Sequence, residues 1–176
     1  MKLIPLTQGQ FAQVDNKNYD WLTQWKWCAV KAKYGYYAYR GVYLGGGKKN
    51  RKYKAIAMHR LIMNTPDGME CDHRDFNGLN CMEENLRNCT KQQNRFNIRS
   101  RGKSKYLGVS FKTVYCRYGM YSYIVATIKC GYKHYYLGNF KTEEEAAQAY
   151  NAKAKELFGE FANLNVILTL SESTTR

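Results

Sequence analysis

Residues 58–97 read MHRLIMNTPDGMECDHRDFNGLNCMEENLRNCTKQQNRFN, and the fold is decided there. The Asp72-His73 pair closes a short run with apolar neighbours. Asn77-Gly78-Leu79-Asn80 has loop composition, and residues 86–90 can pair back as a strand. Thr90 can cap a short helix over 91–97 that carries Asn94. The spacing therefore predicts a strand, a loop, a strand and a helix around one pocket. The segment is too polar to hold a core alone and needs a metal or a neighbouring sheet to brace it.

The residue types suit phosphodiester hydrolysis. An imidazole such as His73 can be neutral near pH 7 and accept a proton from water. Asp72 is a hard oxygen ligand for Mg²⁺ or Mn²⁺, and Asn94 offers a second oxygen from the facing helix. The Asp-His pair, the N-G-L-N-x-x-x-E-N-L-R stretch from Asn77 to Arg87 and the following Asn-bearing helix resemble the core of the HNH homing endonucleases. The resemblance covers 58–97 closely and the strands before it loosely. It implies a ββα-metal unit with His73 as general base. It also implies one divalent metal per active site, Mg²⁺ or Mn²⁺, held by Asp72 and Asn94. Asn85 would fix the His73 ring and its tautomer. Asn in place of the motif's last His favours an oxygen-rich site. Arg60, Arg74, Arg87 and Arg95 are candidate phosphate clamps, and His59 reads as structural.

Upstream, residues 1–50 read as strands and turns. Trp25-Lys26-Trp27-Cys28-Ala29-Val30 and Tyr36-Tyr37-Ala38-Tyr39-Arg40 are aromatic-rich runs with a turn near Gly35 between them. Residues 45–50 form a basic Gly-rich loop, and 54–58 alternate as a further strand. The three N-terminal tryptophans are expected in the core. Residues 1–97 are thus read as an antiparallel sheet leading into the nuclease domain, with 98–104 as a basic linker.

Downstream, residues 105–167 form the second expected domain and 168–176 a tail. Three runs alternate, at 106–112, 123–129 and 134–138, and a helix follows. Thr142 with Glu145 predicts a capping box, and Gly159 a left-handed stop. Ala146, Tyr150, Ala154, Leu157 and Phe158 recur at helical spacing. Alternation turns Val109, Phe111, Ile124, Ala126, Ile128, Tyr135 and Leu137 toward the helix. It turns Tyr123, Val125 and a polar set away, the set being Ser110, Lys112, Thr127, Lys129, His134 and Tyr136. The motifs Tyr106-Leu107-Gly108-Val109, Tyr135-Tyr136-Leu137-Gly138-Asn139-Phe140, the helix from Thr142 to Tyr150, Phe158-Gly159 and Leu164-Asn165 resemble the Apetala-type DNA-binding domain of plant ethylene-response factors. That resemblance implies an outer sheet face lying in the major groove. The Arg and Trp residues of the plant domains are replaced here, so their target sequence does not carry over.

Charge agrees with a polyanionic partner. The formal net charge is +14, and residues 98–140 hold eight Lys and Arg with no acid. Sixteen Tyr, interleaved with these cations, suit both stacking and a sheet core. None of the six cysteines forms a C-x-x-C pair, so no structural zinc is expected. No signal peptide or long apolar run is present, which points to no membrane partner and a cytoplasmic place, by resemblance in a bacterial cell hosting a phage or mobile intron. The expectation is a two-part α+β protein that nicks or cuts double-stranded DNA as a monomer or weak dimer. The rivals are a DNA-binding regulator with a decayed nuclease site and an RNA-binding protein.

Overall fold

The computed structural model describes residues 1–100 and 102–167, so the expected tail lies outside the described residues. The protein is mixed α and β, with several small antiparallel sheets. It divides into two compact units, Met1–Asn94 and a second beginning at Arg95. The division thus falls ahead of the stretch read as a linker. Phe96 has a place in the second unit, stacked on Phe158 at 4.1 Å, and Ser104 is buried there.

In the first unit, β1 (Lys2–Pro5) and β2 (Phe11–Val14) pair as a hairpin, and α1 (Asn16–Leu22) follows. This helix departs from the all-strand expectation for 1–50. It is only seven residues long, and Asn18 and Leu22, one turn apart, are its buried positions. Its anchor is remote: Asn18 donates to Glu83 Oε1 at 2.8 Å, and Asp15 accepts from the Glu83 backbone at 2.8 Å. β3 (Cys28–Ala32), β4 (Gly35–Gly45) and β5 (Lys52–Ala57) form a three-stranded sheet in that order. Trp25 and Trp27 precede β3 and are not strand residues, contrary to expectation. Their rings meet edge-on with centroids 6.4 Å apart, and the Arg40 guanidinium lies 4.1 Å from the Trp25 centroid.

Next come α2 (Met58–Ile62), β6 (Glu70–His73), β7 (Leu86–Cys89) and α3 (Lys91–Asn94). The polar middle segment is braced by the chain's beginning. Ile4, Ala12, Val14, Leu22, Trp27, Ala38, Met58, Cys81 and Leu86 form one buried cluster. Gln13 of β2 holds the loop before β7 from both sides, its N–H on Leu79 O and its carbonyl accepting from Cys81 N, each at 2.8 Å. α3 ends at Asn94 and does not reach Asn97, and Phe96 packs in the core of the second unit.

The second unit is a three-stranded antiparallel sheet covered by one helix. Its strands are β8 (Val109–Cys116), β9 (Gly119–Cys130) and β10 (Lys133–Phe140), with β9 central. α4 (Glu143–Phe158) starts at the expected capping box: Glu145 N–H donates to Thr142 Oγ1 at 3.1 Å, and Glu145 Oε2 accepts from Thr142 N–H at 3.4 Å. Gly159 has φ +55°. Ala146, Ala147, Tyr150, Ala154 and Phe158 of α4 pack on Leu107, Val109, Ala126 and Ile128. Phe111 is 45% exposed although alternation puts it on the helix side. Val125, on the other face, is buried. All six cysteines are free. Among the described residues no helix is long and apolar enough to cross a membrane.

Candidate active site

β6 pairs with β7 in the register Glu70↔Cys89, Cys71↔Asn88, Asp72↔Arg87 and His73↔Leu86. Side chains alternate across a strand, so Glu70, Asp72 and Arg87 share one face while Cys71 and His73 share the other. α3 packs on the first face. There Asn94 donates its side-chain amide to Glu70 Oε2 at 2.6 Å. Thr90 caps this short helix reciprocally with Gln93, which fixes where Asn94 emerges.

Asp72 is buried, and its Oδ2 accepts from Arg87 Nε at 3.0 Å and from a terminal Arg87 nitrogen at 2.9 Å. Arg87 is itself only 8% exposed. A buried carboxylate needs such a partner, since an isolated charge out of water is costly. Arg87 is therefore not a surface phosphate clamp as expected from its type. Arg60 donates to the Met69 carbonyl at 2.8 Å, while Arg74 and Arg95 are exposed.

His73 turns to the opposite side and is buried. Its ring centroid is 4.7 Å from that of His59 and 5.6 Å from that of Tyr37. His59 lies on α2, and Tyr37 on β4 touches both histidines. Burial holds the His73 imidazole below its ordinary range, against the pull of Asp75 and Asp72. Burial likewise pushes His59 down to about 3, with His73 and Arg60 adding to the effect. Both rings are thus neutral at pH 7. Asp72 and His73 thus leave β6 on opposite faces, Asp72 toward Arg87 and His73 toward His59 and Tyr37.

Asn85 is buried behind the loop that follows His73. Its amide donates to Asp75 Oδ1 at 2.9 Å and to Asn80 O at 2.8 Å, and its Oδ1 accepts from Asp75 N at 3.0 Å. Its own carbonyl accepts from Arg74 N at 2.9 Å. Asp75 completes the knot by accepting from Asn80 at 2.7 Å. Glu70, Tyr37, Asp75 and Asn80 were absent from the sequence-based site. Glu70 had a local signal, since it lies two residues before Asp72 and so on the same strand face.

Among the described residues no three His, Cys, Asp or Glu side chains gather as a metal cage. A carboxylate and an amide oxygen are hard donors, the type that Mg²⁺ or Mn²⁺ takes. Glu70 takes the Asn94 amide nitrogen, which leaves the amide oxygen as the free donor on the face that carries Asp72.

No family model and no solved structure matches the chain. An uncharacterized HNH endonuclease of Acanthamoeba polyphaga mimivirus is 34% identical over 166 residues, spanning 91% of this chain and 77% of that protein. The chain belongs to the HNH endonuclease family. The AP2-like ethylene-responsive transcription factor ANT of Arabidopsis thaliana is 32% identical over 142 residues, which is 74% of this chain but 24% of the factor. In this HNH family member the outer face of the second unit carries exposed Lys112, Thr127, Lys129, His134 and Tyr136, with Ser110 half-buried. Tyr136 donates to Asn139 Oδ1 at 2.7 Å, which holds its ring along that face.

Proposed function

We propose that the chain is a metal-dependent DNA endonuclease in which β6, β7 and α3 act as the ββα-metal unit. The observation that carries this reading is the Asn94–Glu70 hydrogen bond on the strand face shared with Asp72. It engages the Asn94 amide nitrogen and so leaves the amide oxygen for a cation, and Asp72 is a buried carboxylate of the same strand face. Asp72 and Asn94 would hold Mg²⁺ or Mn²⁺, and a bound ion would balance the charge that develops on the scissile phosphate. His73, kept neutral by burial, accepts the proton of the attacking water. Asn85 ties down the 75–80 loop, and Arg74, exposed beside His73, contacts phosphate. The second unit holds the duplex through its outer face, with Lys112, Lys129 and His134 toward the phosphates and Thr127 and Tyr136 toward the bases.

The test is conversion of supercoiled plasmid to open circle with Mg²⁺. Activity should vanish in His73→Ala while duplex binding persists. One observation favours a second reading, a DNA-binding protein that no longer cuts: Arg87 already occupies Asp72. Tight duplex binding with no nicking under Mg²⁺ or Mn²⁺ would decide for it.

A further inference from the structure

Residues 21–66 contain ten Lys and Arg and not one Asp or Glu. Half of these cations, Lys48, Lys49, Arg51, Lys52 and Lys54, fall at the end of one hairpin. β3 pairs with β4 only from Ala32↔Gly35 to Cys28↔Tyr39. Beyond Tyr39, β4 has β5 as its sole partner, from Arg40↔Ile56 to Gly45↔Lys52. A two-stranded ribbon therefore leaves the sheet. From Tyr43 to Ala55 every residue except Gly45 is exposed, so both faces of the ribbon meet solvent.

A two-stranded ribbon has no core of its own. Here the Tyr43 and Tyr53 rings, 5.4 Å apart, stiffen one face. None of the five cations joins an ion pair among the described residues, whereas Lys2, Lys17 and Lys153 each sit beside an acid. Such concentrated, unneutralised charge is matched by a polyanion. The base of the ribbon is tied to the candidate site. β5 runs directly into α2, whose His59 touches His73, and Tyr37 of β4 touches both.

We propose that the β4–β5 ribbon is a DNA arm that enters the major groove of a B-form duplex and neutralises phosphates on its walls. It would thereby fix which phosphodiester bond reaches the site. This rests on the reading of the first unit as a DNA endonuclease. The groove, about 12 Å wide, admits a two-stranded ribbon. The deep, narrow major groove of an RNA duplex does not.

The full chain carrying Lys48→Ser, Arg51→Ser and Lys52→Ser is compared with wild type and with a chain carrying Lys2→Ser, Lys17→Ser and Lys153→Ser. Affinity for a duplex DNA fragment is measured across a salt series, and far-UV circular dichroism checks that each variant folds. Each phosphate left without its cation makes the plot of log affinity against log salt shallower by about 0.9, so the ribbon variant should flatten by about 2–3 and the control should match wild type. In wild type, guanine N7 methylation should interfere with binding at two separate places, and the ribbon variant should lose the one under the ribbon while keeping the one under the second unit. An unchanged slope in the ribbon variant, or equal competition by an RNA duplex, overturns the arm. Plasmid nicking with an unchanged slope would sink the arm and leave the nuclease. A changed slope without nicking would do the reverse.

Discussion

Asn94 gives its side-chain amide to Glu70, two residues before Asp72 on the same strand face. In the proposed nuclease Glu70 would position the amide oxygen. Removing a group that orients a metal ligand typically weakens metal binding about 10–100-fold. Glu70→Ala should raise the Mg²⁺ concentration for half-maximal nicking by that factor. The maximal rate at saturating metal should change much less. A metal dependence equal to wild type would remove Glu70 from the site.

Arg87 and Asp72 form a buried pair with side chains about one-tenth exposed, at 9% each. Taking away one partner of such a pair leaves an uncompensated charge and costs about 3–5 kcal/mol. Arg87→Met should therefore lower the urea midpoint sharply. Adding Asp72→Leu should recover most of that stability, since a well-packed apolar pair is close to neutral in cost. The double variant should stay inactive, because the carboxylate is gone. Recovered nicking in the double variant would show that Asp72 is structural only.

The two neutral histidines make stability depend on pH. His59 sits at about 3 in the folded protein against 6.5 ordinarily, and His73 is shifted in the same direction. Unfolding exposes both rings, so below pH 6.5 the unfolded chain binds protons that the folded chain refuses. Stability is then full above pH 6.5 and is lost as pH falls toward 3. His59 contributes at most about 1.4 kcal/mol per pH unit in that window, and His73 acts in the same direction. His59→Gln should flatten the slope of unfolding free energy between pH 6 and 5 by about one proton. Parallel curves for wild type and variant would mean that His59 is solvated.

How much of this could be read from the chain depends on the range of each cause. α4 was legible because its cap, Thr142 with Glu145, and its alanine spacing are local. The order β6, loop, β7, α3 was legible for the same reason. α1 was not, since it is short and its partner Glu83 lies 65 residues from Asn18. Arg87 reads as a surface cation until the hairpin register sets it opposite Asp72. Alternation puts Phe111 on the helix side, but a side is not a burial, and its 45% exposure is not legible in the pattern. The acid-free stretch 21–66 lies between Asp15 and Asp20 on one side and Asp67 and Glu70 on the other, so its charge stands out only once the β4–β5 hairpin marks where it belongs.

Gly108 ties strand β8 to helix α4 through a missing side chain. Its φ is +72°, a region that glycine enters freely and other residues rarely do. A Cβ there would stand 2.1 Å from Tyr150 Cδ2 and 2.5 Å from the Thr127 carbonyl oxygen. Neither neighbour can yield easily. Tyr150 is a buried core ring, and the Gly108 carbonyl accepts from Thr127 N at 2.8 Å, which locks the two backbones together. Overpacking and backbone strain each cost about 1–3 kcal/mol, so Gly108→Ala should destabilise the second unit by about 2–6 kcal/mol. The first unit has its own core and should keep its transition. Amide exchange should show weakened protection in β8–β10 and α4 while β6 and β7 stay protected. If the second unit holds the duplex, affinity should drop with it, and nicking at low salt should persist. Protection that falls evenly through both units would mean that they fold as one.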